Sequence, residues 1–195
     1  MKKSCASDIN IFVVLVLLSA MSCEPLYIPD PIDPRLPKYT ESGNNVAGAL
    51  INDQLWKSDI EYGWFGGFYA PDVYYIVNGD SLVIDFRGGM GENDYINISF
   101  ALKGARVTNL GSMLNLAGEK FKLGNGDNAV SIARDSGCNQ MGTGQVYFRS
   151  VTYDSVNQII TLSGTFGFNV VDSVCGDVDV TYGRFDVRIV HISGY

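Results

Sequence analysis

Few side chains in this 195-residue protein are suited to chemistry, and their spacing narrows what they can do. There is one histidine, His191. A single imidazole cannot build a multi-histidine metal site, and no Gly-x-Ser-x-Gly elbow is present to supply a nucleophile. His191 is in phase with Phe185, Val187 and Ile189 on an apolar strand pattern, so it reads as a core or sheet-edge residue. Carboxylate pairs are the remaining route to catalysis, because glycoside hydrolysis needs only two. Asp177 with Asp179, and Asp59 with Glu61, would each share a strand face, but such pairs recur in any acidic β protein. The run Gly124-Asn125-Gly126-Asp127-Asn128 has the polarity of a calcium loop. It lacks the alternating acidic ligands and terminal Glu of one and reads as a polar hairpin turn. No catalytic residue, metal ligand or cofactor is assigned, and the expectation is that the chain is not an enzyme.

The cysteines carry more information. Cys138 and Cys175 lie at similar distances either side of a turn at Asp154-Ser155-Val156-Asn157. If Tyr153 pairs near Gln158, antiparallel register brings Cys138 opposite residues near Ser173, within reach of Cys175. A disulfide across the open end of that hairpin is expected. Closing about 37 residues would contribute roughly 4 kcal/mol in the chain-entropy model.

Cys23 has a different setting. Lys2 and Lys3 precede an apolar run over residues 11–21, which ends Leu18-Ser19-Ala20-Met21-Ser22-Cys23. As a helix the run covers about 17 Å, too little for a bilayer core of about 30 Å but the size of a signal-peptide core. Small residues before a cysteine resemble a lipobox. There the thiol takes a diacylglyceryl group and the cysteine becomes the mature N-terminus. Leu is absent from the third position before Cys23, which departs from the usual pattern. The expectation is a signal peptide over 1–22, removal of Cys5 with it, and lipid attachment at Cys23. At roughly 0.8 kcal/mol per buried methylene, two or three acyl chains would make the attachment permanent.

Five of the six prolines follow: Pro25, Pro29, Pro31, Pro34 and Pro37. Proline fixes φ, lacks a donor and pushes its predecessor toward extended backbone. Residues 23–43 therefore read as the lipidated cysteine and a semi-rigid spacer, reaching up to roughly 65 Å at about 3.1 Å per residue.

From residue 44 to 195 the pattern is one β-rich domain. Residues 46–51 read as a first strand, and further strands are read over 81–87, 96–102, 146–153, 158–168 and 178–192, with apolar and polar residues alternating most clearly over 81–87 and 96–102. Leu82, Ile84 and Phe86 fall on one face, as do Ile96, Ile98, Phe100 and Leu102. Turn signals stand at Asn52-Asp53 and Asn78-Gly79-Asp80. Residues 110–117 are the only helix-like stretch. In the last strand Val178 and Val180 are out of phase with Phe185, Val187 and Ile189, which predicts a β-bulge at Gly183. The fold class is all-β: a single-domain antiparallel β-sandwich or partly open barrel. The segment Tyr62-Gly63-Trp64-Phe65-Gly66-Gly67-Phe68-Tyr69 interleaves aromatics with glycines. Trp64, Phe65, Phe68 and Tyr69 would form a ligand-binding platform if exposed, or plug the core if buried.

A further set of short segments carries a resemblance. Ile51-Asn52-Asp53-Gln54-Leu55-Trp56, Ser163-Gly164-Thr165-Phe166-Gly167-Phe168 and Gly183-Arg184-Phe185-Asp186-Val187, behind a lipobox and stalk, are similar to small Bacteroidota lipoproteins of unknown function. The resemblance covers roughly residues 44–190. It implies a compact β-rich domain behind a lipid anchor and carries over no ligand or catalytic residues.

The net charge of −7 argues against nucleic acid and against a basic patch reading anionic lipid. The expected partners are the membrane, through the anchor, and a glycan, peptide or envelope protein. A monomer is expected. The place is the cell envelope, as an outer-membrane lipoprotein facing the periplasm or the exterior. The expected role is a binding or interaction module. A structural lipoprotein without a ligand, or a carbohydrate hydrolase, is the alternative.

Overall fold

Eleven strands, several of them with alternating buried and exposed residues, make up a computed structural model that describes residues 33–58, 72–76, 81–91 and 94–194. The strands are β1 (Val46–Ile51), β2 (Gln54–Ser58), β3 (Asp72–Ile76), β4 (Ser81–Gly89), β5 (Tyr95–Lys103) and β6 (Lys120–Leu123). They continue with β7 (Ala129–Arg134), β8 (Asn139–Asp154), β9 (Ile159–Val170), β10 (Val178–Ile189) and β11 (Ser193–Gly194). Eight of them form a ring. In the order β1, β2, β4, β5, β7, β8, β9, β10 each pairs antiparallel with the one before, and β10 returns to pair with β1. The sheet therefore closes, which narrows the sandwich or partly open barrel expected from sequence to a closed up-and-down barrel. The remaining strands attach to the ring: β6 beside β7 along β8, and β3 beside β2 along β4, with β11 parallel to β3.

Eight strands leave an interior just wide enough for side chains to fill. Here phenylalanines fill it. Phe100 meets Phe86, Phe166 and Phe168 at centroid separations of 6.1, 5.3 and 6.4 Å. Phe185 meets Phe86 and Phe148 at 5.5 and 5.7 Å. Aliphatic side chains surround them, among them Leu82, Ile98, Ile132, Leu162 and Val187, all buried. The helix-like stretch of the sequence is a short 3-10 turn, Gly111–Leu116, whose Met113 and Leu116 are buried against the barrel core. Six residues are too few for an α-helix to hold by itself, so packing selects the tighter turn.

Alternating connections define two ends. The Asn52-Asp53 turn, the β4–β5 connection, the β7–β8 turn and the β9–β10 loop share one end. The disulfide lies there, with the Sγ atoms of Cys138 and Cys175 2.09 Å apart. It spans from the β7–β8 turn to the β9–β10 loop. The register Thr143↔Asn169, carried outward, sets Cys138 opposite Val174, one residue from the pairing read in the sequence. Both central residues of the Asn52-Asp53 turn have positive φ, which suits a tight hairpin. Asn52 also bonds Asp177 and Asp179 across to the β9–β10 side.

The predicted bulge is present in β10, and the extra residue is seen from both neighbours. Its left-handed residue is Tyr182, at φ 53°, rather than Gly183. Gly183 is needed for a different reason: a Cβ there would stand 2.4 Å from the Phe166 ring. The strand ends at Ile189, so His191 is exposed beyond it rather than in the core or on a sheet edge.

Residues 33–44 lie along the outer wall, so the last part of the segment expected to be a spacer is docked. Leu36 is 4% exposed. Pro37 sits over β1 so closely that a Cβ on Gly48 would come within 2.5 Å of it. The strap begins near the disulfide end, where Arg35 donates to the Asp53 carbonyl at 3.5 Å, and runs toward the opposite end.

Candidate functional site

On a barrel wall, outward residues alternate with inward ones, so two groups on β10 separated by two positions face the same way. Arg184 and Asp186 face outward, yet they are 7% and 2% exposed because the strap covers them. Asp186 accepts from the Thr40 and Ser163 hydroxyls and from the backbone N–H groups of Ser42, Gly43 and Asn44. The Ser163 and Gly43 bonds are 2.9 and 2.7 Å. Burial pushes the Asp186 carboxyl up, but the bonds from Thr40, Asn44, Gly43 and Ser163 outweigh it and the net shift is downward. Arg184 donates to the Pro37 carbonyl at 3.3 Å. Arg149, the extra residue of a bulge in β8, lies over the Tyr39 ring at 5.2 Å and pairs with Glu41 at 3.1 Å. These groups are committed to holding the strap, so the cluster is structural.

The other side of the β10 bulge is open. A groove of about 590 Å³ runs over β8, β9 and β10, lined by Thr143, Gly167, Asn169, Asp179, Thr181 and Tyr182 among others. Gly167 leaves its floor without a side chain. Tyr182 stands at its edge, 52% exposed. Thr143 Oγ1 donates to Asn169 Oδ1 at 3.0 Å, and Asn169 is exposed, with an amide NH2 able to donate. Among the described residues the Asp179 carboxylate and the Thr181 hydroxyl have no protein partner. The groove thus offers one aromatic face, an amide donor, a hydroxyl and a carboxylate acceptor.

The sequence-predicted sites distribute as follows. Cys23, the aromatics Trp64, Phe65, Phe68 and Tyr69, and the pair Asp59 and Glu61 lie outside the described residues. Of the Asp177 and Asp179 pair, Asp177 accepts from the Asp172 N–H at 3.0 Å, while Asp179 lines the groove and Asp177 is not among the groove's lining residues. The 124–128 run is a polar turn, in which Asn125 Oδ1 accepts from the N–H groups of Asp127 and Asn128, and Asp127 pairs with Lys103 at 3.2 Å. Among the described residues no three histidine, cysteine or carboxylate groups cluster as a metal site. Sequence reasoning missed Tyr182 and Asn169. The signal was available in the phase change at Gly183, which marks where an outward side chain is re-aimed.

Fold and wall together define a closed up-and-down β-barrel with a filled interior and a polar external groove. Comparison with family models, curated proteins and solved structures finds no match for the chain.

Proposed function

We propose that the chain is a lipid-anchored binding module of the cell envelope, held at the outer membrane by Cys23 and meeting its partner with the outside of the barrel. The filled interior carries the second half of this reading. Six phenylalanines pack where an eight-stranded barrel would otherwise hold a small ligand, so recognition falls to the wall and the connections. The short apolar leader and lipobox-like residues before Cys23 support the first half. The disulfide supports an oxidising compartment. A structural envelope lipoprotein without a ligand is the second reading, favoured by the same solid core.

The test is fractionation and protease shaving of intact cells with a tag at the C-terminus. Membrane association that Cys23→Ala abolishes supports the anchor. A Cys23→Ala protein that stays in the membrane fraction overturns it. Cleavage without lysis places the domain outside, and protection until the outer membrane is opened places it in the periplasm.

A further inference from the structure

We infer that the groove beside the β10 bulge is a binding site for a neutral saccharide, with Tyr182 as its stacking face. This rests on the binding-module reading above and names its ligand class. Three observations converge on the same few residues. The first is backbone conformation. A bulky side chain at positive φ is a conformational outlier, and such outliers persist where surrounding structure enforces them. This bulge carries one left-handed residue, a conformation that glycine adopts without steric cost. Gly183 is already fixed by the Phe166 ring, so the left-handed position fell to its neighbour, which is an exposed tyrosine.

The second observation is what surrounds the ring. A pyranose presents one apolar face of C–H groups and an equatorial rim of hydroxyls, each both donor and acceptor. A tyrosine ring suits the first and Asn169, Thr181 and Asp179 suit the second, all lining one groove. The glycine floor at Gly167 lets a flat ring approach the wall. The third is charge. Asp179 in a protein of net charge −7 disfavours sulfated or uronic sugars and leaves neutral ones.

The experiment is an amide-resolved NMR titration of the folded domain, strap included, with chitotetraose, cellotetraose and maltotetraose. The expected result is shifts confined to residues 143–144, 167–169 and 179–182 for one of them, with binding about tenfold weaker in Tyr182→Ala and retained in Tyr182→Phe. Tyr182→Gly separates stacking from folding. It should lose binding while the melting temperature rises by roughly 2–4 °C, because the left-handed strain is relieved. A Tyr182→Gly protein that binds as well as the parent overturns the proposal. Shifts elsewhere on the barrel overturn this groove and keep the binding module. No shift with any of the three sugars overturns the saccharide assignment. Photo-crosslinking from position 182 in intact cells then separates this groove from the parent reading: protein adducts keep the binding module with a partner of another class, and their absence overturns the groove as a contact site.

Discussion

Asp186 shows how one side chain can hold a segment that has no regular structure. Its carboxylate gathers two hydroxyls and three backbone N–H groups, four of these five donors from the strap. Asp186→Ala leaves those donors buried without an acceptor and should cost about 3–5 kcal/mol in urea unfolding. Its pH dependence follows from the sign of the shift. The folded carboxyl titrates below its unfolded value, so the contribution is fully present above about pH 4 and is lost as pH falls through the folded pKa. Asp186→Asn should flatten the acid limb of the stability curve below about pH 4. An unchanged acid limb would mean that other carboxylates dominate. At Gly183 the limit is steric. Gly183→Ala should destabilise by about 1–3 kcal/mol, because the Phe166 ring must move out of a filled core.

At the scale of elements, the strap and the disulfide fasten neighbouring parts of the barrel in different ways. A chain beginning at Asn44 loses the buried Leu36, the Pro37 contact and most donors to Asp186. It should unfold about 2–5 kcal/mol more easily than one beginning at Asp33, measured side by side in urea. The disulfide joins two connections at one end, and Cys138→Ser with Cys175→Ser should cost up to about 4 kcal/mol. Intact mass rising by two hydrogen atoms on reduction would establish the bridge chemically. The sequence made some of these elements legible and hid others. Alternation exposed β4, β5, β9 and β10, and the phase change exposed the bulge, because these depend only on neighbours in the chain. Closure was not legible, since it rests on β10 pairing with β1 across separations of 129–140 positions. The docked strap was hidden because prolines dictate extended backbone equally well in solvent and against a wall. Tyr182 was hidden behind Gly183, the residue that usually takes the left-handed position.

For the whole molecule, the barrel has a direction. The strap enters at the disulfide end and runs to the other, so a lipid on Cys23 would draw the disulfide end toward the bilayer. The opposite end, with the 3-10 turn and the β8–β9 turn, would then face away. Two exposed positions report this: Tyr95 at the disulfide end and Val156 in the β8–β9 turn. Fluorophores attached to Tyr95→Cys and Val156→Cys in the lipidated protein should be quenched differently by nitroxide headgroup lipids in vesicles, more at 95 than at 156. Cys23→Ala should abolish quenching at both. Because the strap is pinned along the wall by Asp186 rather than joined at a single swivel, the difference should collapse in Asp186→Ala even where the protein remains anchored and folded. Equal quenching at the two positions in the parent protein would show that the barrel tumbles freely on its tether, with the docked strap fixing the fold but not its orientation.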